Sequence, residues 1–202
     1  MTAESTRYHH GDLPSALVRS AMELLDEDPA SDLSLRAVAR KAGVSAAAPY
    51  RHFDDRNALA SAVAAVGYAE LAQTLLAVHA EPSTADDLAD LAVAYVRFAL
   101  ARPGLFRVMF AEGCDAGNPD RVAAVDGIRG YLGSLAQRTA PDADPDAAAL
   151  AAWSLVHGLA FLHLDGKLDT SSPEEVDRRV RGAVTALLHP SPAHTPIGGE
   201  QR

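Results

Sequence analysis

From Leu13 onward, apolar residues recur at steps of three and four, the spacing of one face of an α-helix. Leu17, Ala21, Leu24 and Leu25 define a first helix that starts after Asp12, a good capping residue, with Pro14 in its first turn, and ends near Asp26. The stretch DEDPASD reads as a turn. Ser34 then caps a short second helix over 35–42, with Leu35, Val38, Ala39 and Ala42 facing inward, and Gly43 ends it. Ser45 is expected to cap a third helix running through Phe53. Asp54 and Asp55 precede a longer fourth helix that starts near Arg56 and holds Leu59, Val63 and Val66. HAEPSTADD is the clearest linker, and beyond it the pattern predicts helices near 84–101, 103–113, 118–139, 145–165 and 173–188. Residues 1–11 are polar and aperiodic and read as a flexible arm carrying Arg7, His9 and His10, and 190–202 reads as a Pro- and Gly-rich disordered tail. The expected organisation is a small helical unit over 12–70, with its most informative segment at about 33–53, and a second helical unit over 71–189.

Composition narrows this to an all-α fold. Of the 202 residues 48% are hydrophobic, with Ala and Leu supplying much of that, while aromatics make up 5%, which favours helices over a sandwich of sheets. The single cysteine, Cys114, excludes an intrachain disulfide and a multi-cysteine zinc site and suits a reducing cytoplasm. The N-terminus lacks an apolar signal core, and Arg, Asp or His interrupts the longest apolar stretches, so a soluble protein with no membrane span is expected. The net charge of −9 argues against an indiscriminate nucleic-acid binder. That average conceals a local exception. Between Leu33 and Phe53 lie Arg36, Arg40, Lys41, Arg51 and His52 and no acid, with Glu23, Asp26, Glu27 and Asp28 before and Asp54 and Asp55 after. A basic window inside an acidic chain is a directed surface.

The window reads LSLRAVARKAGVSAAAPYRHF. A helix-turn-helix needs a small residue where two helices cross, a residue tolerant of positive φ in the turn, and apolar residues that lock the second helix to the first. Ala39, Gly43, Val38 and Val44 meet those needs, although an ordinary helical hairpin with a glycine turn meets them too. The run Leu35 to Leu59, with AGVS, YRHF and DDRNAL, resembles the signature of the TetR family of regulators. The resemblance implies a nine-helix TetR-like architecture: an N-terminal three-helix helix-turn-helix domain followed by a C-terminal domain for effector binding and dimerisation.

Carried over position by position, it implies that Ser34 and Arg36 grip phosphate. Ser45, Ala46, Ala47, Ala48, Tyr50, Arg51 and His52 would enter the major groove, and Arg56 would hold phosphate from the other side. The chain departs from the family at Ala46-Ala47-Ala48-Pro49, where many relatives carry side chains that reach base edges. Alanines touch only thymine methyls, so direct readout would rest on Ser45, Tyr50, Arg51 and the arm. Phe53 is assigned to packing, and His52 to phosphate contact or to capping neighbouring carbonyls.

In the second unit three clusters stand out: Tyr95 and Phe98; Phe106, Met109 and Phe110; and Trp153, His157 and Phe161, the last three at i, i+4 and i+8 on one helix face. Such a stripe is equally the mark of a core. WSLVHGLAFL and ARPGLFRVMF resemble a branch of the TetR family with a Trp-x-x-x-His-Gly motif. That resemblance implies that Tyr95, Phe98, Phe106, Met109, Phe110, Trp153, His157 and Phe161 bind a small-molecule effector. His157 would then meet either a ligand or a buried backbone carbonyl. Leu150, Leu155, Leu159 and Leu162, with Val176, Val180, Val184 and Leu187, are the candidate faces of a four-helix homodimer interface. Such a dimer would set two reading heads about 34–36 Å apart on duplex DNA.

No metal is expected, because His157 and His163 fall on different faces and His9-His10-Gly11-Asp12 lacks a third fixed ligand. Nor is a cofactor: no Gly-rich phosphate loop is present. The leading expectation is a cytoplasmic repressor that binds a palindromic operator and is released by an effector. Two alternatives stand beside it: a helical ligand-binding protein that has lost DNA binding, and a small enzyme using His157 as a base, for which no paired carboxylate or activated nucleophile is found.

Overall fold

The structure, a computed structural model, describes residues 13–111, 119–139, 142 and 144–188; the expected arm, Cys114 and the expected tail lie outside them. Among the described residues the chain forms eight α-helices, one short 3-10 turn and no strand. The helices are α1 Leu13–Glu27, α2 Leu35–Lys41, α3 Arg56–Val78, α4 Ala85–Ala101, α5 Pro103–Ala111, α6 Pro119–Thr139, α7 Pro145–Leu164 and α8 Pro173–Leu188. Their ends follow local chemistry. Ser34 Oγ accepts the Ala37 N–H at 3.2 Å, Asp55 Oδ1 accepts that of Ala58 at 2.8 Å, and Thr84 and Asp87 form a reciprocal capping box. Four helices, α5 to α8, open on proline, whose missing N–H costs nothing in a first turn.

Gly43, at φ +70°, closes α2. Its N–H bonds to the Arg40 carbonyl at 3.2 Å and the Val44 N–H to that of Ala39 at 3.0 Å, the paired bonds of a Schellman stop. The chain then departs from its predicted course. Instead of a continuous helix from Ser45 to Phe53, it makes tight turns that end in a 3-10 turn at Pro49–Arg51. Ala48, Arg51 and His52 each donate to the carbonyl three residues back, and the Phe53 N–H alone reaches four back, to Pro49. The cause is Pro49. In an α-helix opened by Ser45, the amide of residue 49 would close the first bond to the Ser45 carbonyl, and proline has no amide hydrogen. Ser45 is accordingly no side-chain cap; the residue preceding the 3-10 turn is Ala48.

α3 is the spine of the molecule: it packs against α1, α4, α5 and α6, while α4 is flanked by α7 and α8, and α7 lies along α6. The expected boundary at 70/71 therefore falls within one continuous helix. At the junction of α4 and α5, Arg102 Nε meets Asp26 Oδ1 of α1 at 2.7 Å and its Nη1 meets Glu70 Oε2 of α3 at 2.9 Å. Gly104 fits there because a Cβ would sit 2.8 Å from the Leu25 carbonyl oxygen and 2.9 Å from the Pro29 Cα.

Two expectations need correction. Leu159, Val176, Val180 and Val184 are buried within the chain, with α8 seated on α4, so they belong to the protomer's own core. An i, i+4, i+8 stripe records that a partner exists, not whose chain supplies it. Leu150, Leu162 and Leu187 do remain exposed, and Leu155 is half-buried. Second, α3 and α7 are long and apolar enough to cross a membrane, with mean hydropathies of 1.4 and 1.6, since one polar residue such as Glu70 or His157 leaves each average high. Both helices pack into the bundle, where α3 buries Leu59, Val63, Tyr68 and Leu71.

Candidate nucleic-acid interface and ligand cavity

The acid-free window forms one end of the molecule. Arg36 and Arg40 project from the exposed side of α2, and Ser45, Ala46, Ala47, Tyr50, Arg51 and His52 are exposed along the turns that follow, with Ala48 half-buried. Tyr50 is 53% exposed, an unusual position for so large a ring. Phe53 is buried and joins the core with Leu17, Leu33 and Leu59, the packing role expected of it. Ser34 spends its lone pair on the Ala37 amide and keeps its hydroxyl proton for an acceptor outside. His52 donates its backbone N–H to Pro49.

The flanking acids draw in only the outer cations. Lys41 pairs with Glu27 and lies 3.8 Å from Glu23, and the Glu27 carboxylate holds its ammonium pKa above the ordinary value. Arg56 Nε lies 3.2 Å from Asp32 Oδ1, so the role expected of it at phosphate competes with an ion pair. Arg36, Arg40 and Arg51 make no ion pair among the described residues. Three exposed cations and an exposed tyrosine thus lie within one acid-free stretch of chain, a composition suited to a polyanion.

At the other end, the aromatic residues picked out in the second half of the sequence converge. Phe106 lies 5.6 Å from Tyr95, 4.8 Å from Phe110 and 5.6 Å from Phe161, centroid to centroid. His157 sits among them, 4.5 Å from Phe110 and 4.8 Å from Phe161. Its Nδ1 is 3.1 Å from the Tyr95 hydroxyl. Burial lowers the His157 pKa and raises that of Tyr95 well above the ordinary phenol value, so both are neutral. Met109 is fully buried, and Phe98 nearly so, in the same core.

Beside this cluster a cavity of about 330 Å³ opens between α3, α4, α6 and α7. Of the eight residues expected to bind an effector, only Tyr95 and Trp153 reach its wall; Phe98, Phe106, Met109, Phe110, His157 and Phe161 lie off it. The wall also includes Tyr68, Leu71 and Leu75 from α3, Ile128, Tyr131 and Leu132 from α6, and Val156 from α7. None of those residues stands out in the sequence. Their one signal was Gly127 in a predicted helix, where glycine costs about 1 kcal/mol relative to alanine and needs a reason. A Cβ at Gly127 would meet nothing within 4 Å. Another residue that escaped the sequence reading is Arg121, buried on α6 with Nη2 on the Met109 carbonyl at 3.1 Å, the carbonyl that also accepts the Tyr68 hydroxyl at 2.7 Å.

A cationic, acid-free turn on a compact helical head, joined by one long helix to a bundle with an internal apolar cavity, defines a helix-turn-helix DNA-binding protein with a ligand-sized compartment. Comparison with known proteins agrees. Residues 17–63 match the family model of bacterial regulatory proteins of the tetR family, and 88–187 match that of a tetracyclin repressor-like C-terminal domain. The chain belongs to the TetR family.

Among solved structures, a protein of unknown function from Rhodococcus sp. RHA1 is 36% identical, with 89% of this chain and 96% of that one covered and a TM-score of 0.70. A tetR-family transcriptional regulator from Streptomyces coelicolor shares the fold at 21% identity over 91% of this chain and 84% of its own, TM-score 0.63. So does a TetR variant from Acinetobacter baumannii AYE in complex with minocycline, at 20% identity over 86% and 93%, TM-score 0.61. No curated protein matches the chain.

Proposed function

We propose that this protein is a cytoplasmic transcriptional repressor that binds a palindromic operator as a homodimer and is released by a small-molecule effector. The observation that carries the reading is the exposed set Arg36, Arg40, Tyr50 and Arg51 within one acid-free stretch of chain. In this reading 12–70 is the DNA-reading head, with its helix-turn-helix at 33–53, and 71–189 the effector and dimerisation domain, and α3 belongs to both. Ser34, Arg36 and Arg56 hold phosphates; Ser45, Ala46, Ala47, Ala48, Tyr50, Arg51 and His52 lie in the major groove. With alanine at three of these places, base hydrogen bonding falls to Ser45, Tyr50 and Arg51, and the alanines allow close approach of the backbone.

The dimer is supported by the outer faces of α7 and α8. Leu150, Leu162 and Leu187 are exposed there, and Gly158 and Gly182 face open space although each weakens its helix. Small residues beside exposed leucines admit a second helix pair at close range. Tyr95 and Trp153, with Tyr68 and Tyr131, form the polar part of the effector wall, and the WHG-type branch is supported by Trp153, His157 and Gly158 in register on α7. We assign His157 no catalytic role: its Nδ1 is engaged by Tyr95 and its ring is enclosed by Phe106, Phe110 and Phe161.

The test is selection of duplexes from a random pool by the full chain, followed by gel shifts at several salt concentrations. The expected result is a palindromic site whose affinity falls steeply with salt and is weakened in Arg36→Ala and in Arg51→Ala. Undiminished affinity in both variants overturns the assignment of the reading head.

A further inference from the structure

We infer that the cavity between α3, α4, α6 and α7 takes a neutral, largely apolar molecule whose hydrogen-bond acceptor is held by the indole N–H of Trp153. The inference rests on the effector reading above and adds the chemistry of the effector. Its volume, about 330 Å³, lies at the lower end of ligand pockets, roughly 300–1,000 Å³. A smaller void of about 80 Å³ backs onto the same Tyr95, Tyr131, Leu132 and Val156, which leaves length for an apolar extension.

Among the described residues, no Asp, Glu, Lys, Arg or His lines the larger cavity. A carboxylate or ammonium inside it would lose its water without gaining a counter-charge, the most costly form of burial. The wall's three phenol groups are already engaged: Tyr68 with the Met109 carbonyl at 2.7 Å, Tyr95 with His157 Nδ1 at 3.1 Å, and Tyr131 with the His79 carbonyl at 3.4 Å. The exception is Trp153, whose buried Nε1 has no acceptor at hydrogen-bond geometry: the Tyr95 hydroxyl lies near enough to feel its N–H but is bonded to His157. An indole N–H only donates, so its missing partner is an acceptor such as a ketone, ester, ether or hydroxyl oxygen. The entrance is apolar as well. Ala69, Leu76 and Gly127 are wall residues that also face solvent, and they place the mouth between α3 and α6.

The experiment uses four probes of one shape on the full-length dimer: naphthalene, 2-acetylnaphthalene, 2-naphthoate and 2-naphthylmethylammonium, titrated by calorimetry. Quenching of Trp153, the single tryptophan, gives a second readout in the wild type. The ketone is expected to bind, with the two ions at least tenfold weaker. Trp153→Phe keeps the ring and removes the donor; it should weaken the ketone roughly tenfold and leave naphthalene within about twofold. Gly127→Leu adds a side chain where a Cβ has open space, and should abolish binding of both neutral probes in a folded protein.

Either ion binding as tightly as the ketone, unchanged ketone affinity in Trp153→Phe, unchanged binding in Gly127→Leu, or no binding by any neutral probe overturns the inference. Operator release is scored separately. A ketone that binds as described yet leaves the operator complex intact upholds the chemistry of the cavity and overturns its role as the effector site.

Discussion

Among the described residues Arg36, Arg40 and Arg51 are exposed without an ion pair, whereas Lys41 and Arg56, beside them along the chain, are paired with Glu27 and Asp32. Each unpaired cation that neutralises a phosphate releases condensed counterion, with a slope of about −0.9 per contact in log affinity against log salt. Arg36→Ala is therefore expected to reduce the magnitude of the salt slope by about one, uniformly across operator sequences. Arg51→Ala should in addition relax discrimination at one position, by about 1–3 kcal/mol if it contacts a base edge. Gel shifts between low and moderate salt, on the selected operator and on single-base variants, measure both.

His157 makes a second prediction at this scale. Burial lowers its pKa below the unfolded value of about 6.5. Between the folded pKa and about 6.5 the unfolded chain binds more protons, so stability rises with pH across that window and is lost on acidification. His157→Gln should flatten the dependence of Tm on pH below about 6.5. Parallel curves for wild type and variant would show that the ring is not protected as described.

At the scale of elements, the junction of α4 and α5 ties the cavity end to the reading head. α5 carries Phe106 against Tyr95 and Met109 against Gly67 of α3, and its first turn rests on the end of α1 through Gly104 and Arg102. In the proposed release, an effector against Tyr95 would act on α5 only through the Tyr95–Phe106 contact, and a shift of α5 would pass to α1, which packs directly on α2. Coupling requires that the effector bind two arrangements with different affinity, and Arg102 is the polar link between them.

Arg102→Ala is expected to leave operator binding within a few-fold while raising the effector concentration that releases the operator by roughly tenfold, read by fluorescence anisotropy of labelled duplex. Gly104→Ala acts more severely, since its Cβ would collide with backbone that cannot yield. A stability loss of about 1–3 kcal/mol, of the kind overpacking produces, should appear in urea unfolding. Gly43→Ala loses less, about 1 kcal/mol, because only the left-handed φ is penalised and the space around it is open.

For the whole molecule, the proposed dimer is the unit that makes a single reading head specific. Leu162→Glu places a charge on the exposed face of α7, where the side chain is 44% exposed and the protomer loses little. The expected outcome is a monomer by light scattering with an unchanged helical circular dichroism spectrum and operator affinity down at least a hundredfold. A dimer that survives both Leu162→Glu and Leu150→Glu would place the interface elsewhere.

What was legible from residue order is what short-range chemistry governs. Ser34, Asp55, Thr84 and Gly43 each start or stop a helix through bonds to residues three to five positions away, so they could be read one by one. Exposure of the cationic turn was legible too, because unpaired charge is not buried. The turn at Pro49 departs from the helix expected after Ser45 although its cause is local: proline has no amide hydrogen to close the bond to the Ser45 carbonyl. Other features needed the chain folded. Val176, Val180 and Val184 carry the same stripe whether they meet α4 or a second subunit, and Tyr68, Leu75, Ile128 and Tyr131 look like filled core until the packed helices are seen to leave a cavity among them. Periodicity states which side of a helix avoids water; only the packing of distant helices states what that side meets, and where it meets nothing.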